Sequence, residues 1–232
     1  MKKQFTLFAA MVLMAGTFTA CKDEVVAKKY ARLDVINASP DAPGLNVIVD
    51  SSVLSPYVLT FGTNMGYMQV EAAKKNVLFK TFLSDTTTDS AVLRTEVTFK
   101  EGEHYSVFLV DSFSKLTALL TPDQWPATQN GKAMVRFLQL SPNAPVLDVV
   151  KMVDTTPTVI FGNMGFKDVT AFTPINAGVY DWSLTFTGKD TVIGKLPTMI
   201  FNTGKSYTIY TRGFDSTMGK KALTATVIVN QN

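Results

Sequence analysis

The chain has 232 residues, 46% of them hydrophobic, with 22 basic and 19 acidic side chains for a formal charge of +3, one cysteine and one histidine. A balance this close to neutral, with no basic run, supplies neither the counterion-release term of a nucleic-acid binder nor a polybasic patch for anionic lipid, so both partners are excluded as expectations. A single cysteine allows no intrachain disulfide, and the fold must stand on its buried core.

The chain opens on Lys2 and Lys3, continues with an apolar run from Phe5 to Gly16, and reaches Cys21 through the small-residue approach Thr17-Phe18-Thr19-Ala20. This is the pattern of a processing signal, residues 1–20, and the apolar run is too short for the roughly 20 residues of a spanning helix. Phe18-Thr19-Ala20-Cys21 resembles a bacterial lipobox, with Phe18 where Leu is usual. The expectation is a lipid-anchored protein acylated (palmitate) on Cys21. A plain secretory signal cut after Ala20 is the alternative. Several acyl chains on one cysteine hold a protein stably at a membrane. The next residues, Lys22, Asp23 and Glu24, are similar to the export signal that carries lipoproteins of Bacteroidetes-type bacteria to the outer face of the outer membrane, against the alternative of an anchor facing the periplasm. Removal of residues 1–20 takes two of the 22 basic side chains and none of the 19 acidic ones, leaving formally +1 over about 212 residues. Residues 21–30 then read as a lipidated tether.

From Ala31 onward the apolar period is two. Leu33 and Val35, then Leu45, Val47 and Val49, alternate with their neighbours, and similar runs recur at 77–83, 92–99, 105–110, 179–186, 199–201, 207–211 and 223–229. Such runs predict half-buried strands, while a 3.6-residue apolar stripe of three turns is absent. The expected fold is all-β, as two tandem antiparallel β-sandwiches of immunoglobulin-like type.

The tandem reading rests on an internal repeat. Residues 31–47 return at an offset of 102 as residues 133–149; Phe61-Gly62-Thr63-Asn64-Met65-Gly66-Tyr67 returns one residue shorter as Phe161-Gly162-Asn163-Met164-Gly165-Phe166; and residues 99–105 return as 201–207. A spacing near a hundred residues suits a domain that buries its own core better than a solenoid unit. The expected domains are 31–120 and 133–232, joined by a linker over 121–132.

The strongest local motif is Ser39-Pro40-Asp41-Ala42-Pro43, repeated as Ser141-Pro142-Asn143-Ala144-Pro145. Proline presets a turn and Ser, Asp and Asn bond nearby backbone, so the pentapeptide predicts a rigid corner between strands. Exchange of Asp41 for Asn143 keeps turn chemistry and abolishes acid chemistry. Residues 31 to about 119, with Ala-Ser-Pro-Asp-Ala-Pro at 38–43 between two strands, resemble a family of domains of unknown function, DUF4397, and residues 133–229 resemble a diverged second copy. The resemblance implies a β-sandwich on a secreted or surface-anchored bacterial protein, and it implies no catalytic residue.

No catalytic site, metal site or cofactor is expected. His104 sits in Gly-Glu-His-Tyr, read as an exposed turn, and any Ser-His-Asp or Cys-His site has no other histidine to use. The Phe-Gly-x-Met-Gly block lacks the lysine and helix of a phosphate loop and reads as a tight bend or bulge between aromatic core residues. Asp85 to Ser90 offers oxygens but not the glycine and glutamate of a dedicated calcium loop, so it reads as a hairpin tip. Trp125, between prolines in the linker, is either a wedge between sandwiches or a stacking platform for a sugar or peptide; Trp182 is expected in a core. The leading expectation is a non-enzymatic cell-surface interaction or structural module with an unknown protein or glycan partner. The alternatives are a glycan-binding accessory lipoprotein of a nutrient importer, and a hydrolase with paired carboxylates, for which the spacing of the acids gives no support.

Overall fold

The computed structural model describes residues 27–82, 91–127, 129–153, 156–215 and 219–230. Cys21, Lys22, Asp23, Glu24 and the Asp85–Ser90 segment lie outside the described residues. The strands of the first half are β1 (Tyr30–Asn37), β2 (Leu45–Val49), β3 (Ser52–Val53), β4 (Met68–Glu71), β5 (Lys74–Thr81), β6 (Ala91–Thr98), β7 (His104–Val110) and β8 (Thr117–Pro122). Those of the second are β9 (Lys132–Leu138), β10 (Leu147–Val153), β11 (Thr156–Met164), β12 (Thr173–Asn176), β13 (Gly178–Tyr180), β14 (Trp182–Phe186), β15 (Val192–Lys195), β16 (Met199–Phe201), β17 (Ser206–Arg212) and β18 (Thr224–Asn230). The protein is all-β. Among the described residues the only helical pieces are two three-residue 3-10 turns, and no helix is long and apolar enough to cross a membrane.

The first half forms two open sheets, β4-β1-β7-β8 and β3-β2-β5-β6. The second forms β12-β9-β17-β18 and β11-β10-β14-β15, with the small pair β13-β16 beside them. Among the described residues no sheet mixes strands of the two halves. The alternating residues do what their period requires: Leu33, Val35, Val107 and Leu109 of one sheet bury against Leu45, Val47, Val77 and Phe79 of the other. In the second half Val135, Phe137, Tyr207 and Ile209 meet Leu147, Val149, Trp182 and Leu184. Trp182 is 1% exposed, inside a ring cluster with Phe161, Tyr180 and Phe201.

The expectation of purely antiparallel sheets is corrected at two places. β1 pairs with β7, and β9 with β17, in parallel. Alternation has the same period in both pairings, so sequence pattern is blind to the difference. Parallel pairs prefer burial on both faces, and this is where these four strands lie. β7 is buried from Tyr105 to Val110 without a break, and Ala133 to Leu138 of β9 likewise. Their outer faces carry a third apolar cluster, in which Ile36, Ala38, Phe108 and Val110 pack on Leu138, Leu140 and Tyr210. Four sheet layers are therefore stacked through three cores, the middle one joining the halves.

Residues 102 apart face each other across that middle layer. Phe108 and Tyr210 meet edge to face with ring centroids 5.5 Å apart. Ile36 with Leu138, and Ala38 with Leu140, are the other pairs related by this offset in the cluster. The seam is built as an isologous interface is, with the same surface of each half turned to the other.

The proline corners close each half in the same way. Ser39 Oγ donates to the Asp111 carbonyl at 2.7 Å, and Ser141 Oγ to that of Gly213 at 2.6 Å. Asp41 Oδ1 accepts the Phe113 N–H at 2.7 Å, and Asn143 Oδ1 that of Asp215 at 2.8 Å. Pro40 and Pro142 begin these turns, and Pro43 and Pro145, both half-buried, lead into β2 and β10. Asp41 thus spends its carboxylate on a backbone amide, as Asn143 spends its amide oxygen.

Candidate functional site

The chemistry-bearing residues gather where the connection between the halves, residues 123–131, leaves β8. Asp123 is buried there beside Arg136 of β9, and the two form an ion pair with side chains 0% and 3% exposed. Arg136 Nε donates to Thr208 Oγ1 at 2.9 Å, Thr208 Oγ1 donates to Asn230 Oδ1 at 2.8 Å, and Asn230 Nδ2 donates to the Tyr67 oxygen at 3.1 Å. Tyr67 O–H donates in turn to Asp123 Oδ2 at 2.7 Å. The five side chains make a closed ring of hydrogen bonds in which each donor is followed by an acceptor. Ser106 adds a second donor to Asp123 Oδ2 at 2.7 Å. A buried polar network rigidifies a fold when each member is satisfied, and this one links a loop of the first half, the connection, and three strands of the second. Burial, followed by the Asp123 charge, pushes the Tyr67 phenol well above its ordinary range.

Above the ring lies an aromatic group. Trp125 is half-buried, 4.7 Å from the His104 ring and 6.0 Å from that of Tyr67. Tyr67 and His104 meet edge to face at 5.3 Å. The expectation that His104 is an exposed turn residue is corrected: it is the first residue of β7, half-buried in this group, because the turn ends at Glu103. Burial, with the nearby Arg32 charge, lowers its pKa below the ordinary histidine value. The Asp123 oxygens are already taken by Arg136, Tyr67 and Ser106, so Ser106, His104 and Asp123 share a neighbourhood but make no nucleophilic relay.

A second buried acid, Asp34 of β1, lies on the same seam. It is 1% exposed and accepts from Asn64 Nδ2 at 2.8 Å, while its Oδ1 has no hydrogen-bond partner among the described residues. Burial dominates and pushes its pKa up to about 6. The folded chain therefore holds this proton more tightly than the unfolded one, and stability from this group is present below about pH 4 and lost as pH rises through 6. Asp34→Asn is expected to remove that loss: its melting temperature should exceed that of the native protein at pH 7.5, with the gap closing toward pH 4, as thermal scans across that range will read.

Two clefts open along the seam. One, of about 390 Å³, is mainly apolar, with Leu119, Leu120 and Pro122 of β8 facing Val169, Ala171 and Phe172; Arg136 lies 4.8 Å over the Phe172 ring. The other, of about 500 Å³, lies between the first corner and the Phe61 bend on one side and Arg212, Lys220 and Lys221 on the other. In the first half the Phe-Gly block is a bend, as its glycines at φ +80° and +72° require, but Phe61 lies under the Arg212 guanidinium at 4.7 Å instead of in a core; in the second half Phe161 is core and its block ends strand β11, whose pairing with β10 is bulged or irregular.

The connection carrying Lys220 and Lys221 is pinned by Gly213. At φ +90° and with the Ala222 carbonyl oxygen 2.1 Å from where a Cβ would stand, that position admits no side chain. Gly213→Ala is expected to cost about 3 kcal/mol or more, from backbone strain and displaced hydrogen bonds of Phe214, with chemical denaturation as the measurement.

Among the described residues no group of three or more His, Cys, Asp or Glu side chains could hold a metal ion. What these residues define is an all-β protein of open sheets stacked in layers, with one buried ion pair, Asp123 with Arg136, at the junction of its halves. The chain belongs to the family "Domain of unknown function (DUF4397)", whose model matches residues 31–150. That match runs past the connection into β9 and β10, through both proline corners. No curated protein sequence matches the chain.

Proposed function

We propose that this is a non-enzymatic lipoprotein of a Gram-negative cell envelope, anchored in the outer membrane through Cys21, displayed at the surface, and acting as a rigid interaction module. In this reading the chain is a tandem duplication of an immunoglobulin-like sandwich, the two copies 31–120 and 133–232 fused back to back. The observation that carries it is the closed ring of Asp123, Arg136, Thr208, Asn230 and Tyr67 above the apolar seam: these five side chains are spent on fixing one lobe against the other. A scaffold fixed in this way presents its loops in constant geometry, which lowers the entropy lost on binding. Paired-carboxylate hydrolysis is disfavoured, since Asp123 has both oxygens occupied and neither it nor Asp34, at 4% and 1% exposure, is open to a substrate.

Anchoring and display are tested together in cells expressing the full chain. Radioactive palmitate should label the native protein and not Cys21→Ser, and protease added to intact cells should digest it. An unlabelled native protein, or one protected until the outer membrane is opened, contradicts the reading. The glycan-binding alternative is favoured by one specific observation, the cationic cleft beside Phe61.

A further inference from the structure

Each cleft is walled by segments from both halves. In the apolar one, β8 of the first half faces the segment before β12 of the second; in the other, the bend before β4 of the first half faces the β17–β18 connection of the second. Each stacks an arginine on a phenylalanine, Arg136 on Phe172 and Arg212 on Phe61. Only the first arginine is neutralised. Arg136 has Asp123, whereas among the described residues no Asp or Glu lines the second cleft and no ion pair involves Arg212, Lys220 or Lys221.

The Arg212 side chain and the backbone that carries the two lysines are held in place. Arg212 Nε donates to Thr226 Oγ1 at 2.7 Å, and the guanidinium packs so closely on Gly62 that a Cβ there would lie 2.9 Å from Cζ. Lys220 and Lys221 end a 3-10 turn whose Lys221 carbonyl accepts the Phe214 N–H at 2.7 Å, next to the pinned Gly213. Cations gathered without a counter-charge repel one another, and the arrangement becomes favourable when an anion enters. Beside them Phe61, Pro40 and Ala42 give an apolar wall and Thr60 a hydroxyl, in a volume within the range of small-ligand sites, roughly 300–1,000 Å³.

We propose that this cleft binds an acidic saccharide, one bearing uronate or sulfate groups, with its anions on Arg212, Lys220 and Lys221 and the apolar face of a sugar ring against Phe61 and Pro40. An anionic membrane is the poorer fit, because surface attraction to lipid headgroups takes clusters of about 4–8 basic residues and here one of three is half-buried in a recess. The inference names the ligand of the interaction module proposed above and rests on that reading.

The test is calorimetric titration of the full chain, purified in detergent, with a heparin-derived tetrasaccharide, a polygalacturonate fragment and neutral maltotetraose. The acidic sugars should bind and maltotetraose should not. The pair Lys220→Glu/Lys221→Glu, at exposed positions, should weaken acidic binding about tenfold or more without lowering the melting temperature. The control pair Lys195→Glu/Lys205→Glu, with the same charge change elsewhere, should leave it unchanged. Failure of both acidic sugars to bind, equal loss in the control pair, or tighter binding to phosphatidylglycerol vesicles than to either sugar overturns the proposal. A palmitate-labelled, surface-accessible protein that binds no acidic sugar overturns the cleft alone; an unlabelled protein that binds one overturns the anchor alone.

Discussion

Asp123→Ala is expected to lower the free energy of unfolding by about 3–5 kcal/mol, because it leaves the Arg136 guanidinium charged, almost wholly buried and without its carboxylate. The loss is larger than a net hydrogen bond because it is the cost of an unpaired charge. It also strands Tyr67 and Ser106, whose hydroxyls both point at Asp123 Oδ2. The reverse deletion, Arg136→Ala, should cost less, since a carboxyl can take up a proton and an arginine cannot lose one. Replacing both, as Asp123→Ala with Arg136→Met, should recover much of the loss, as expected where a buried pair serves specificity more than stability. Equilibrium denaturation of the native protein, Asp123→Ala, Arg136→Met and the double variant closes the cycle that gives the coupling energy.

Phe108→Ala is expected to cost about 3–5 kcal/mol, and Tyr210→Ala a similar amount, because each removes a ring that is at most 1% exposed from the layer between the halves. The two losses should be less than additive, since the rings touch each other. Both residues face away from the core of their own half. A change at Val107 or Ile209, which face inward, weakens one half; a change at Phe108 or Tyr210 weakens the joint.

This difference marks how far the amino-acid sequence could be read. Strand positions followed from alternation, and Leu33, Val35, Val135 and Phe137 took their places in two cores because a period of two leaves them no other face. The middle layer was visible only as an excess: Val107-Phe108-Leu109-Val110 is apolar at each position, where a strand with one face in water needs only every second one. The parallel pairing of β1 with β7 left no trace, because neighbours in a sheet are chosen by topology and not by pattern. The ring of polar side chains was invisible for a related reason. Tyr67 and Asn230 are 163 positions apart, and neither Asp123 in the connection nor Arg136 in an apolar strand announces its partner. Arg136 in the run Met134-Val135-Arg136-Phe137-Leu138 was the nearest thing to a signal, a charge in a strand with both faces apolar, which demands a buried counter-charge. The proline corners were legible because their chemistry is local. His104 stands one residue beyond its turn, enough to move it from solvent to the start of an interior strand.

The joint between the halves is the feature on which the rigid-module reading depends, and differential scanning calorimetry of the full chain tests it most directly. A seam with a buried apolar cluster and a closed polar ring makes the halves unfold together, so the expected result is one transition whose calorimetric and van't Hoff enthalpies agree. Asp123→Ala should move that transition as a whole to lower temperature. Two separate transitions in the native protein, with the seam variants shifting neither, would contradict the account.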